Sequence, residues 1–142
     1  MKANRENKFV KPSRFILIDD DHVSNIVSKY GIIRDYAGDD IQVYTDAELA
    51  LAAIQNQDPV NQTEARTVVL LDINMPLMSG WDFLDKFSEL QEDISKSFII
   101  FMLSSSLDKG DLQRAKESIL LSGYLSKPLN PTRLKEAIAS LN

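Results

Sequence analysis

Cysteine is absent from the 142 residues, which removes disulfide frameworks and thiolate metal sites from consideration. With His22 the only histidine, a zinc site is poorly supplied as well. No apolar run approaches the roughly 20 residues of a membrane-spanning helix. The opening stretch, MKANRENKFVKPSRF, lacks the apolar core of a secretory signal, so a cytoplasmic protein without membrane contact is expected. Internal repeats and low-complexity tracts are also missing. Charge is unevenly spread. The net charge is −5, yet residues 1–14 carry Lys2, Arg5, Lys8, Lys11 and Arg14 against Glu6. Five isolated charges without interleaved aromatics read as a solvated terminus, and an acidic body argues against direct nucleic-acid binding.

What is present suits one globular domain. Apolar residues make up 44% and charged residues 26%, near the globular average, and a chain this long can bury a real core. Short apolar runs alternate with helix-length segments. RFILI (14–18), IQVYT (41–45), TVVLL (67–71), FIIFML (98–103) and GYLS (123–126) read as strands. Continuous apolar strands suggest a sheet covered on both faces.

Between them, Val23, Ile26, Val27, Tyr30 and Ile33 recur at helical spacing and predict one core-facing stripe. Thr45-Asp46-Ala47-Glu48 reads as a capping box before LALAAIQ. A third helix starts at Gly80, striped by Trp81, Leu84, Phe87 and Leu90. A fourth spans about 109–120 with Asp108 as its cap. Asn130-Pro131 opens the fifth. Five strands and five helices in strict alternation predict an α/β fold with a doubly wound parallel sheet. The polar segment QNQDPVNQTEAR (55–66) reads as a long surface loop. We divide the chain into a tail at 1–12 and a domain at 13–142.

In such a sheet, functional groups gather beyond the carboxyl ends of the strands. The first strand exits into Asp19-Asp20-Asp21, the third at Asp72, the fourth at Ser104-Ser105-Ser106 and the fifth at Lys127-Pro128. Adjacent carboxylates repel, and partial burial raises the cost of ionising them. Hard oxygen donors suit Mg²⁺. Carboxylates, a hydroxyl and an ammonium together fit phosphoryl transfer, with one carboxylate as nucleophile.

These segments resemble the receiver domain of two-component response regulators. ILIDDD is similar to the family's first strand with its acidic pair, LLDINMPLMSG to the phosphoacceptor strand and its turn, FMLSSS to the switch strand, and GYLSKPL to the Tyr-x-x-Lys-Pro segment. The motifs come in order, with 52 positions from Asp20 to Asp72, 32 to Ser104 and 23 more to Lys127.

The resemblance implies a five-stranded, (βα)5 flavodoxin-like fold and a single-domain, chemotaxis-regulator-like response regulator. Asp72 would accept the phosphoryl group from a histidine kinase or phosphotransfer protein. Mg²⁺, with Mn²⁺ as a substitute, would be held by Asp19, Asp20, Asp72 and the Asn74 backbone carbonyl. Ser104, Ser105 and Lys127 would contact the phosphoryl oxygens, and Ser104 and Tyr124 would form the switch. Pro76, Gly80 and Pro128 would be structural, the Lys127-Pro128 bond often being cis in the family.

Asp21 and His22 read instead as a helix-start acid and a partly exposed turn histidine. Met75, Met78 and Trp81 read as packing residues. With the chain ending at Asn142, output is expected through a partner on the helix 4–strand 5–helix 5 face or by onward relay. A phosphorylation-linked homodimer is compatible with that. A Mg²⁺-dependent phosphohydrolase is the enzymatic alternative, though Asn74 stands where haloacid-dehalogenase-type enzymes need a second acid. A degenerate scaffold is the third, disfavoured because Asp72, the acid pair and the lysine are all present. The expectation is a phosphoacceptor whose own chemistry is limited to self-phosphorylation and autodephosphorylation.

Overall fold

The structure is a computed structural model that describes residues 12–36, 40–56, 66–90, 92–105 and 108–141. Its strands are β1 (Pro12–Ile18), β2 (Asp40–Tyr44), β3 (Arg66–Asp72), β4 (Phe98–Ser104) and β5 (Leu121–Ser126). Its main helices are α1 (His22–Tyr36), α2 (Ala47–Gln55), α3 (Gly80–Phe87), α4 (Lys109–Glu117) and α5 (Pro131–Ala139), and a further single turn lies at Glu92–Ser95. All strand pairings are parallel, in the order β2-β1-β3-β4-β5.

The continuous apolar runs occupy the middle of this sheet, as burial on both faces requires. Alternation along each strand divides their side chains between two cores. Ile16, Ile18, Val69, Leu71, Ile100 and Met102 pack with α2 and α3 on one side. Phe15, Leu17, Val68, Leu70, Phe101 and Leu103 pack with Leu134 and Ile138 of α5 on the other. Phe15, Phe83 and Phe101 are fully buried, each stabilising the fold by about 1.5–3 kcal/mol relative to exposure.

Helix starts follow local chemistry. Asn130 Oδ1 accepts from the Arg133 N–H at 3.1 Å, and Asp108 Oδ1 from the Asp111 N–H at 3.0 Å. Ser79 and Asp82 form a reciprocal capping box ahead of α3, which the sequence reading did not identify. At α2 the cap is Asp46, not Thr45: Asp46 Oδ1 accepts from Glu48 N–H at 2.9 Å and Leu49 N–H at 3.3 Å. Helix α4 ends at Glu117, short of the expected 120.

The larger correction concerns α1. Its apolar stripe faces solvent: Val23 is 67% exposed, Tyr30 72%, and Ile26, Val27 and Ile33 are exposed as well. The inward face carries Asn25, Ser28, Gly31 and Ile32. Small side chains let α1 lie close against Leu129 and Pro131. Asn25 is satisfied by donating from Nδ2 to the Asp19 carbonyl at 2.9 Å. Periodicity identified which residues share a face, and packing decided which face turned inward. The basic tail, most of the 55–66 loop and Ser106 lie outside the described residues.

Candidate functional site

At the carboxyl end of the sheet, β1 and β3 are neighbours while their connections leave to opposite faces. A crevice forms at such a place. Asp19, directly after β1, and Asp72, the last residue of β3, are both buried, whereas Asp20 is exposed. Carboxylate oxygens of Asp19, Asp20 and Asp72 all lie within 4.8 Å of one another.

Lys127 enters from the end of β5. Its Nζ is 2.6 Å from Asp19 Oδ2 and 3.2 Å from Asp72 Oδ1. The Lys127-Pro128 peptide is cis, and the Lys127 N–H donates to the Ser104 carbonyl at 2.9 Å. Asp19 Oδ2 is buried and makes no directed hydrogen bond among the described residues beyond the ammonium beside it.

The charges are not balanced. Burial raises the Asp72 carboxyl above its ordinary value and the neighbouring Asp19 charge raises it further, with Lys127 and the Asn74 backbone only partly offsetting both. Burial alone would lower Lys127, but the hydrogen bond and charge of Asp19, then those of Asp72, leave it raised. Three carboxylates around one ammonium therefore favour a further cation. The donors are all oxygen, and one carboxylate stays open to water. That fits a hard, partly hydrated divalent ion such as Mg²⁺, with Mn²⁺ taking the same donors.

Residues 15–139 match the response regulator receiver domain. The chain belongs to that family. This receiver is 27% identical over 130 residues to hybrid signal transduction histidine kinase I of Dictyostelium discoideum, covering 89% of the chain and 7% of that protein. It thus spans a small fraction of that curated relative. The two component response regulator of Cytophaga hutchinsonii is 29% identical, with a TM-score of 0.80 over 92% of this chain and 97% of that one. A receiver protein from Dyadobacter fermentans shares the fold, with a TM-score of 0.81 and 23% identity over 90% and 96% of the two chains.

The remaining expected positions of the receiver are distributed as follows. Ser104 is buried at the end of β4, and Ser105 beside it is exposed. Asn74 is exposed just past Asp72. Tyr124 is half-buried, pairs in register with Met102 and packs on the α3 side of the sheet. Alternation along the paired strands puts Ser104 on that same face. Pro76 lines a cleft with Asp20, Asp46, Leu77 and Met78.

Gly80 packs against the end of β3. A Cβ there would lie 2.7 Å from the Asp72 carbonyl oxygen and 3.0 Å from Ile73 Cα. Asp21 caps α1, accepting from Val23 N–H at 2.9 Å and Ser24 N–H at 3.3 Å, and His22 is exposed. Two contributors were not singled out from sequence. Asn25 anchors the Asp19 carbonyl, and Leu77, 89% exposed, stands on the turn after β3. Neither carries a sequence signal, because a helical Asn and a turn Leu are ordinary at those positions.

Proposed function

We propose that this receiver accepts a phosphoryl group on Asp72 from the phosphohistidine of a histidine kinase or phosphotransfer protein. The observation that carries the proposal is the convergence of Asp19, Asp20 and Asp72 within 4.8 Å, with Lys127 bound to two of them. Asp72 supplies the carboxylate oxygen that attacks phosphorus. The P–N bond to the donor imidazole breaks as the O–P bond of an acyl phosphate forms, and the released imidazole takes up a proton from solvent. A bound Mg²⁺ supplies neutralisation of the clustered carboxylates and of the phosphoryl oxygens. Asp19, Asp20 and Asp72, with the Asn74 carbonyl, would hold that ion.

Lys127 then pairs with a phosphoryl oxygen in place of Asp72 Oδ1. Ser104, the last residue of β4, donates its hydroxyl to another, and Ser105, directly after the strand, contacts the phosphoryl group beside it. Tyr124 shares the face of Ser104 and responds to its displacement. Phosphorylation would thereby favour one conformation of the domain over another. Output follows through a partner bound at the α4–β5–α5 face or through relay to a further histidine, in the cytoplasm. Beyond its own phosphorylation and dephosphorylation the domain is not an enzyme.

The surface that meets the donor is the exposed stripe of α1. It starts at Val23, four residues after Asp19, and the exposed Leu77 lines the cleft that Asp20 borders. Clustered exposed apolar residues of this kind mark interaction sites. The test is transfer from a phosphorylated histidine-containing protein to the chain and to Asp72→Asn. Label arriving on the wild type alone supports the assignment, and equal labelling of both overturns it.

A further inference from the structure

Helix α4 buries little of its own surface against the domain. Of its nine residues only Ala115 is buried. Trp81, the chain's only tryptophan, reaches it from α3. Trp81 is 8% exposed. Its Nε1 donates to Asp111 Oδ1 at 3.1 Å, and the Arg114 guanidinium carbon lies 4.4 Å from its ring centroid. A nearly buried indole N–H needs its partner, and the stacked guanidinium adds a cation–π contact. The three side chains form a clamp between α3 and α4.

The clamp is continuous with the acceptor strand. Trp81 follows Gly80, whose N–H donates to the Ile73 carbonyl at 2.8 Å and whose Cα leaves no room for a side chain above Asp72 and Ile73. On the other side, α4 is strung between β4, ending at Ser104, and β5, which leads to Lys127. Those are the two residues a phosphoryl group at Asp72 would draw to itself. The clamp is closed in the arrangement in which Lys127 is instead held by Asp19 and Asp72.

We propose that the Trp81–Asp111–Arg114 clamp is a conformational coupling device, holding α4 in the unphosphorylated arrangement and opposing phosphoryl occupancy at Asp72. The inference rests on Asp72 being the acceptor and adds a route to α4 separate from Ser104 and Tyr124. Coupling between two sites is reciprocal. Occupancy therefore loosens the clamp, and removal of the clamp tightens occupancy.

Both halves are measurable with beryllium trifluoride, which binds a carboxylate oxygen as a phosphoryl mimic, in the presence of Mg²⁺. Binding is followed by fluorine NMR, independently of tryptophan. In the wild type, saturation should shift Trp81 emission to the red and increase its quenching by acrylamide. Asp111→Ala and Arg114→Ala should bind the mimic about fivefold or more tightly, while Lys116→Ala, on the exposed side of α4, should bind as wild type does. Mimic binding with unmoved Trp81 emission and wild-type affinity in both clamp variants overturns the coupling and leaves the acceptor assignment standing. Failure of the wild type to bind the mimic, and to gain mass from a small phosphodonor, overturns both.

Discussion

Replacing Lys127 by methionine keeps the length of the side chain and removes the one ammonium among three carboxylates. Asp19 Oδ2 then loses its partner at 2.6 Å while remaining buried. Deleting one member of a buried ion pair costs about 3–5 kcal/mol. The Lys127 side chain keeps 16% of its exposure, which admits water and sets the expected loss near the lower end, about 3 kcal/mol. In a domain of this size that lowers the thermal midpoint by roughly 10 °C.

A divalent cation should replace the missing charge. At a hundred times its dissociation constant, a bound ligand returns about 2.7 kcal/mol. Lys127→Met should therefore melt about 10 °C below wild type in chelator and recover most of the difference in Mg²⁺. Adding Asp19→Asn to Lys127→Met should also recover stability, because the stranded charge is gone. Differential scanning fluorimetry of all three proteins, with and without Mg²⁺, reads this directly. A wild-type midpoint for Lys127→Met in chelator, or an equal Mg²⁺ gain in every variant, would refute the charge-balance reasoning.

Asp72→Asn should be more stable than wild type at neutral pH, because no raised carboxyl has to ionise in the folded state. The folded-state carboxyl is raised, so the wild type loses stability as pH rises from below 3.8 through the raised value, and the advantage of Asn should vanish in acid. Denaturant titrations at pH 7.5 and in the acid range check the sign. Gly80→Ala presses a Cβ against the Asp72 carbonyl, a backbone atom that cannot step aside, and should cost about 1–3 kcal/mol in urea unfolding. Ile26→Ser with Tyr30→Ser, both on the exposed face of α1, should change stability by no more than about 0.5 kcal/mol. The same pair should slow phosphoryl transfer from a histidine protein while leaving modification by a small donor unchanged. Loss of both activities would place the effect inside the site.

The central strands were legible because β1, β3 and β4 are covered on both faces, and uninterrupted apolar runs have few other homes in a small α/β protein. Strand ends then carried Asp19, Asp20, Asp72, Ser104 and Lys127 to one edge without any knowledge of side-chain contacts. Helix α1 shows where that reasoning stops. Its stripe has the correct period, but an inward face of Asn25, Ser28 and Gly31 became acceptable only once Asn25 found the Asp19 carbonyl. At α2, Thr45 and Asp46 both have capping side chains, and the spacing to Glu48 favoured the wrong one. Trp81 read as a packing residue, and it is one. Its hydrogen bond to Asp111, 30 positions away, depends on how α3 and α4 meet.

The central claim is that Asp72 is the phosphoacceptor in a Mg²⁺-dependent reaction. It is tested most directly by intact-protein mass after incubation with a small acyl phosphate, with and without Mg²⁺, on wild type and Asp72→Asn. A single phosphoryl adduct that needs Mg²⁺ and disappears in Asp72→Asn is the expected result. An adduct that persists in Asp72→Asn, or no wild-type adduct under conditions that modify another receiver, contradicts it.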